Sequence, residues 1–147
     1  MKSGFILIKV LFLGLLTIHV SATIGIDISP ILTFQTTFDC LRDGGYKFAN
    51  VRAFTLEGAD LDLSVKDTLL YAQRSGLKTD LFVRPCRGKN AKFQIDEVML
   101  AIAYQYFDKF WLYLEDNPNV GCKWGTNYKS NCDYVQEMVA TVKHLNK

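Results

Sequence analysis

The chain has 147 residues, and its 17 lysine and arginine side chains nearly balance 15 aspartate and glutamate side chains. This length is enough for one domain with a sizeable hydrophobic core. Such a small net charge gives no basic surface for nucleic acid or for an anionic membrane, so both are excluded as expected partners.

The first 22 residues have the pattern of a secretory signal peptide. Lys2 supplies the positive start, Val10–Val20 is apolar, and Val20-Ser21-Ala22 fits a small-residue cleavage site. Lys9 interrupts the apolar run, and the remainder is too short for a transmembrane helix of ~20 residues. We therefore expect a secreted protein, or one in the lumen of the secretory or lysosomal pathway, with one domain over residues 23–147 and no membrane attachment after cleavage.

Strand-like and helix-like patterns alternate along residues 23–147. In chain order we predict strand Thr23–Ile28, helix Phe34–Leu41, strand Phe48–Phe54, helix Asp62–Ser75, strand Lys78–Arg84, helix Phe93–Phe107, strand Phe110–Leu114 and helix Cys132–Leu145. This order indicates an α/β fold with parallel strands, of the (β/α) barrel type. A closed barrel takes about 250 residues, so we expect a truncated barrel of about four units. An unclosed sheet leaves a strand edge unpaired, so either the domain covers it in another way, for which a homodimer is one candidate, or the chain is a fragment.

Four cysteines lie within residues 23–147: Cys40, Cys86, Cys122 and Cys132. In an oxidising compartment they predict two disulfides, with three possible connectivities. We favour Cys122–Cys132, which would close a polar loop, leaving Cys40–Cys86. A zinc site is the alternative, but the spacings are wide and His144 is the only histidine of this region. We therefore expect no metal, and we expect His144 to lie on the surface.

Two acidic residues stand at the ends of predicted strands. Asp27 lies in Gly25-Ile26-Asp27-Ile28-Ser29, and Glu115 closes the segment that begins at Phe110. Barrel enzymes gather their chemistry at the carboxyl ends of the strands. Two carboxyl groups there suggest glycoside hydrolysis, in which one protonates the leaving oxygen and the other supports the sugar centre. The alternative is that both acids cap the loops that follow.

The chain resembles the Chalaropsis-type lysozymes, glycoside hydrolase family 25, and especially their secreted eukaryotic branch. The resemblance rests on the order and spacing of several segments: Gly25–Ser29, Tyr46–Ala53 with Arg52, Glu57-Gly58 followed by Asp62, Gly76-Leu77, Phe82–Pro85, Trp111–Glu115 and Asp116–Asp133. It covers nearly all of residues 23–147, but only the amino-terminal half to two-thirds of a family domain. The family implies a muramidase that hydrolyses the bond between N-acetylmuramic acid and N-acetylglucosamine in bacterial peptidoglycan and needs no cofactor.

The resemblance gives Glu115 and Asp27 their expected roles. Glu115 is the candidate general acid, which must be held protonated by apolar surroundings or a nearby like charge. Asp27 is the candidate electrostatic stabiliser or orienter of the substrate's acetamido group. The family carries Asp-x-Glu where this chain has Tyr113 before Glu115, so one family carboxylate is absent. Residues two apart on a strand share a face, so Tyr113 and Glu115 should share the pocket.

Four further residues are candidates for substrate binding, each with a structural alternative. Arg52 and Asp62 could bind sugar or peptide-stem groups, or else pair with each other or cap loops. Tyr113 and Trp124 could stack on sugar rings, or else belong to the core. Trp111 should point to the same side as Tyr113, but its deeper position predicts a core residue.

Three functions remain open at this point. The leading one is a secreted lysozyme used in antibacterial defence or digestion. The second is a catalytically weakened relative that binds peptidoglycan or acts as a secreted interaction protein, which Tyr113 and the short length favour. The third is a truncated product that folds poorly.

Overall fold

The computed structural model describes residues 23–29, 34–55, 60–103 and 106–145. The predicted signal peptide and the Glu57-Gly58 loop lie outside these residues. In chain order the elements are β1 (Gly25–Ile28), α1 (Gln35–Asp43), β2 (Phe48–Arg52), α2 (Val65–Arg74), β3 (Lys78–Val83), α3 (Ala91–Ala101), β4 (Phe110–Leu112), a short 3-10 helix (Val120–Cys122) and α4 (Tyr128–Leu145). Across the described part of the chain, no helix has the length and apolar character needed to cross a membrane.

The four strands form one parallel sheet in the order β1-β2-β3-β4. The register places Asp27 of β1 beside Asn50 of β2, and Asn50 beside Asp80 of β3. Each strand therefore pairs with the next one in sequence, as in a barrel wound in one direction. The α/β class and the four parallel units are confirmed, and the sheet does not close into a barrel within the described residues.

The two faces of the sheet have different surroundings. Alternate residues such as Ala49, Val51, Leu81 and Val83 are fully buried and join one hydrophobic core with residues of all four helices. The opposite side, which we call the open face, carries Asp27, Asn50, Arg52, Asp80, Phe82 and Trp111, and continues to Tyr113 beyond β4. Trp111 is 46% exposed there, so its predicted place in the core is wrong. It does lie opposite Leu112, as the alternation predicts, because Leu112 packs against the core.

The last two helices have boundaries that differ from the predicted ones. Asn90 caps α3 by accepting a hydrogen bond from the backbone N–H of Phe93 at 2.8 Å, so the helix starts at Ala91. It ends at Ala101, because the backbone of Ile102 is extended. The fourth helix starts at Tyr128, four residues earlier than predicted, after Asn127 accepts from the N–H of Ser130 at 3.0 Å.

The disulfide pairing differs from the preferred one. Cys86 is bonded to Cys122, while Cys40 and Cys132 are exposed thiols. Cys86 follows β3 and Cys122 lies in the 3-10 helix after β4, so the carboxyl ends of two neighbouring strands bring these cysteines together. Cys132 instead lies on α4, and the predicted pairs Cys122–Cys132 and Cys40–Cys86 are therefore wrong.

A buried polar cluster anchors the loop that follows β3. The side chain of Gln94 accepts from the backbone N–H of Cys86 at 2.8 Å and donates to its carbonyl at 3.2 Å. The hydroxyl of Tyr134 donates to the same carbonyl at 2.6 Å and accepts from Gln94 Nε2 at 2.6 Å. These bonds tie the β3 loop to α3 and α4 at once, because Gln94 lies on α3 and Tyr134 on α4.

Replacing Tyr134 with phenylalanine should lower the free energy of unfolding by about 1–3 kcal/mol. The substitution removes the hydroxyl and leaves a buried carbonyl and a buried amide with one partner fewer. Urea denaturation would measure the change, with Tyr128→Phe as the matched control because Tyr128 is exposed. Equal stability of the two variants would contradict the role given to this cluster.

Candidate functional site

Asp27, Asn50 and Tyr113 meet on the open face, near the carboxyl ends of the strands. The Asn50 side-chain amide donates to Asp27 Oδ1 at 3.0 Å, and the Tyr113 hydroxyl donates to Asp27 Oδ2. Asn50 is buried while Asp27 is exposed. The amide also lies 3.5 Å from the Tyr113 hydroxyl. An exposed carboxylate is thus held in one orientation by a buried amide and a phenol.

The Tyr113 phenol is a hydrogen-bond donor rather than an ionised group. Its bond to the Asp27 carboxylate, followed by burial, raises the pKa of Tyr113 from its ordinary value of 10.0 to about 12. The ring packs against Phe82 with centroids 4.4 Å apart, which fixes the direction of the hydroxyl. A phenol that keeps its proton this strongly is a poor nucleophile.

Glu115 follows β4 and forms an ion pair with Arg84, which follows β3. Arg84 Nε donates to Glu115 Oε1 at 2.8 Å, and Nη2 contacts the same oxygen. The carboxyl side chain is 51% exposed. The surroundings of Glu115 therefore differ from the apolar pocket that the sequence predicts for a general acid.

The two predicted catalytic acids lie at the same end of the sheet, and both interact with Tyr113. Asp27 contacts the hydroxyl of Tyr113, and the charge of Glu115 contributes to the raised pKa of Tyr113. A pocket shared by Tyr113 and Glu115 stays a prediction. The catalytic roles of Asp27 and Glu115 stay predictions.

Arg52 and Asp62, which are predicted to bind substrate, are both held within the fold. Arg52 is 7% exposed at the end of β2, in register with Phe82. Asp62 accepts from the backbone N–H of Ser64 at 3.0 Å and from its hydroxyl at 2.6 Å, just before α2. These bonds are those of a residue that fixes the start of a helix. A contact of Arg52 or Asp62 with substrate stays a prediction.

Trp124 lies beside a groove between the end of β4 and α4. Its indole N–H donates to the backbone carbonyl of Glu115 at 3.0 Å, and its ring meets Tyr134 edge-on with centroids 5.8 Å apart. The groove, which we call the α4 groove, has a volume of about 480 Å³ and is lined by Leu114, Glu115, Asp116, Trp124, Tyr128, Asn131, Cys132, Val135 and Gln136. Trp124 therefore packs against the hydrophobic core and also lines this groove.

Trp111 extends the open face toward the amino ends of the strands. Its indole N–H donates to the buried carboxylate of Asp80 at 2.9 Å, and the ammonium of Lys109 lies 5.8 Å from its ring. The bond to Asp80 holds the exposed ring in this position. Aromatic surface of this kind suits the apolar side of a sugar ring.

Sequence reasoning gave no role to Asn50 or Arg84. The signal for Asn50 is its position two residues before Arg52 on the same strand, which places both side chains on one face. The signal for Arg84 is its position at the carboxyl end of β3, beside the strand that leads to Glu115. Among the described residues, no group of histidine, cysteine, aspartate and glutamate side chains could hold a metal ion.

Comparison with known proteins identifies the family. The sequence model of the family described as lysozyme-like protein 1 matches residues 19–147. A curated relative from Dictyostelium discoideum, described as "Probable GH family 25 lysozyme 2", is 27% identical over 143 residues, which is 95% of this chain. The chain spans 64% of the length of that relative. No solved structure gives a significant match.

The family model matches the chain from the predicted signal peptide to Lys147. The relative is named as a lysozyme of glycoside hydrolase family 25, the family that the segments around Asp27, Arg52 and Glu115 resemble. The chain belongs to the lysozyme-like protein 1 family, a family of the glycoside hydrolase family 25 lysozyme type.

Proposed function

We propose that this protein is a secreted muramidase that hydrolyses the β-1,4 bond between N-acetylmuramic acid and N-acetylglucosamine in bacterial peptidoglycan, in antibacterial defence or digestion. The observation that carries the proposal is that Tyr113 donates a hydrogen bond to Asp27 of β1, while the charge of Glu115, which follows β4, helps to raise the pKa of the same tyrosine. Membership in a lysozyme family supports peptidoglycan as the substrate.

Asp27 is the proposed stabiliser of the positive charge that develops at the sugar centre. Both of its oxygens accept hydrogen bonds, from Asn50 and from Tyr113, so the carboxylate is oriented before substrate binds. A preoriented charge costs little reorganisation when the transition state forms. The same carboxylate could instead accept a hydrogen bond from the substrate's acetamido N–H.

Glu115 is the proposed general acid. Both contacts of Arg84 go to Oε1 of this carboxyl group, which leaves Oε2 as the oxygen to carry the transferred proton. A general acid must carry a proton, so hydrolysis also requires that Arg84 leave Glu115 when substrate binds. An anionic lactyl or peptide-stem carboxylate of peptidoglycan is a suitable alternative partner for Arg84.

The second candidate is a protein that binds peptidoglycan without hydrolysing it. The Arg84–Glu115 ion pair favours this candidate, and so does the phenol of Tyr113 at the position of the family's carboxylate. The two candidates share a ligand and differ only in whether a glycosidic bond is broken.

Muropeptide release from purified peptidoglycan separates these candidates. We expect release by the wild-type chain and at least a ~100-fold lower rate for Glu115→Gln, since the amide cannot donate the proton. Glu137→Gln is the matched control, because Glu137 is an exposed residue of α4 remote from β4 in sequence. Sedimentation with insoluble peptidoglycan but no release by the wild type would reject hydrolysis and leave binding.

Because Tyr113 is a protonated hydrogen-bond donor, we predict that its phenol ionises at a higher pH than an ordinary tyrosine. The difference in phenolate absorbance between the wild type and Tyr113→Phe should report one phenol that ionises near pH 12. Burial also raises the pKa of Tyr134. Because Tyr134 is present in both proteins, its ionisation cancels in this difference. Because the folded pKa lies above the ordinary value, the hydrogen bond stabilises the fold fully below about pH 10 and is lost as the pH rises through 12.

Asp27→Asn should shift this titration of Tyr113 to lower pH, since the carboxylate is the main cause of the raised pKa. Circular dichroism at each pH would establish that the chain is still folded. Ionisation of Tyr113 near pH 10 in the folded wild-type chain would contradict the geometry.

A further inference from the structure

Two arginines follow β3, and their side chains have different surroundings. Arg87 Nε donates to the side chain of Asn131 at 3.2 Å, and its guanidinium lies 4.6 Å from the ring centre of Tyr134. Both partners are neutral groups of α4, so Arg87 joins the loop after β3 to that helix. Arg84, in contrast, hydrogen-bonds only the carboxylate of Glu115 among the described residues.

The backbone sets the positions of Arg84 and Glu115. The N–H of Tyr113 donates to the carbonyl of Val83 at 2.9 Å, and Arg84 is the next residue of the chain. The indole N–H of Trp124 holds the backbone of Glu115 by donating to its carbonyl at 3.0 Å. The two side chains are 21% and 51% exposed, so they can turn without disturbing the core.

The ion pair uses only one edge of the Arg84 guanidinium. Nε donates to Oε1 of Glu115 at 2.8 Å, and Nη2 contacts the same oxygen. Nη1 has no hydrogen-bond partner in the part of the chain that the structure describes. Arginine binds a carboxylate most strongly when two of its nitrogens face both oxygens of the carboxyl group. The pair with Glu115 does not reach this arrangement.

An ion pair of this kind is easily exchanged for another. Pairs between exposed side chains contribute little to stability, because water and dissolved ions compete for both charges. Glu115 is a carboxylate, so a carboxylate of a bound ligand can make the same contacts with Arg84. A neutral ligand offers no such replacement, and Arg84 would then stay on Glu115.

The muramic acid unit of peptidoglycan carries a suitable carboxylate. Its lactyl ether stands at C3, two ring atoms from the carbon of the bond that a muramidase cleaves. The lactyl carboxyl group is free where the peptide stem has been removed. Where a stem is attached, that carboxyl group is part of an amide, and the stem's glutamate supplies the nearest carboxylate. Either group belongs to the sugar unit on which Glu115 is proposed to act.

We propose that Arg84 is a specificity-determining residue, which binds a carboxylate of the muramic acid unit and leaves Glu115 only when that carboxylate is present. The inference rests on the proposed function, since it takes the glycan of peptidoglycan as the ligand. It distinguishes this glycan from polymers of N-acetylglucosamine alone, which carry no carboxylate. Such neutral polymers leave the pair of Arg84 and Glu115 in place, so Glu115 is not released to act as an acid.

Binding of a product disaccharide tests the proposal without hydrolysis. N-acetylglucosamine–N-acetylmuramic acid lacks the bond that a muramidase cleaves, and conversion of its lactyl carboxyl group to a methylamide gives a neutral ligand of similar shape. By calorimetry, we expect the wild type to bind the carboxylate form about 10- to 100-fold more tightly, the range for hydrogen bonds to a charged group. Arg84→Gln should bind both forms equally. Arg74→Gln is the matched control, because Arg74 is an exposed residue in the last turn of α2.

A second variant tests the exchange itself. Glu115→Gln removes the carboxylate that competes for Arg84, so the carboxylate ligand should bind more tightly than it binds to the wild type. The affinity for the methylamide should stay the same. The double variant Arg84→Gln with Glu115→Gln should lose this gain, so the two substitutions are not additive. An equal gain in the presence and absence of Arg84 would overturn the exchange.

A disaccharide that carries L-alanyl-D-glutamate on its lactyl group identifies the source of the carboxylate. Arg84-dependent binding of the stem-free form alone assigns the lactyl group, and a substrate from which an amidase reaction has removed the stem. Arg84-dependent binding of the stem-bearing form alone assigns the glutamate. Circular dichroism would establish that each variant is folded. Equal wild-type affinities for all three ligands would overturn this inference alone, whereas no binding of any of them would overturn the proposed function as well.

Discussion

The arrangement of the site depends on one constraint: four parallel strands pair in sequence order, and all their helices pack on the same side. Side chains that alternate toward the helices form the core, so those that alternate the other way must share the open face. The register then places Asp27 beside Asn50, and the residue directly after β4, Tyr113, lies within hydrogen-bonding distance of Asp27. Asp27 and Tyr113, which are 86 positions apart in the chain, are thus brought together by the pairing of the strands.

The loops at the carboxyl ends of the strands are held by a second set of interactions. The Cys86–Cys122 disulfide joins the segments that follow β3 and β4, and Gln94 binds both backbone groups of Cys86. Arg84 and Glu115 lie on these same segments. The ion pair between them is therefore formed by two loops that are already anchored, so its geometry does not depend on the ion pair alone.

Much of the fold could be predicted from the sequence, because hydrophobic periodicity and Gly44-Gly45 and Gly76 mark the elements directly. The parallel order follows from the alternation of strands and helices. The exposure of Trp111 could not be predicted, since depth in a strand indicates burial only when both faces of the sheet are covered. The disulfide pairing was missed because spacing along the chain does not reveal which strand ends are neighbours. The start of α4 was missed because Asn127, its cap, lies in a polar segment that reads as a loop.

The candidate site was predictable to a similar degree. Asp27 and Glu115 stand out because acids at strand ends are recognisable, and the structure places both at the same end of the sheet. Arg84 was not assigned a role, because its contact with Glu115 depends on the pairing of β3 with β4. That contact matters for the site, since it pairs Glu115 with an arginine instead of leaving it in an apolar pocket.

The most direct test of the account is a crystal structure of the chain with a bound N-acetylglucosamine–N-acetylmuramic acid disaccharide. The account predicts the sugar at the carboxyl ends of the strands, in contact with Asp27, Tyr113 and Glu115, with Arg84 moved from Oε1 of Glu115 toward the lactyl carboxylate. A disaccharide bound only in the α4 groove between Trp124 and Tyr128, with the Asp27–Tyr113 cluster unoccupied, would contradict it.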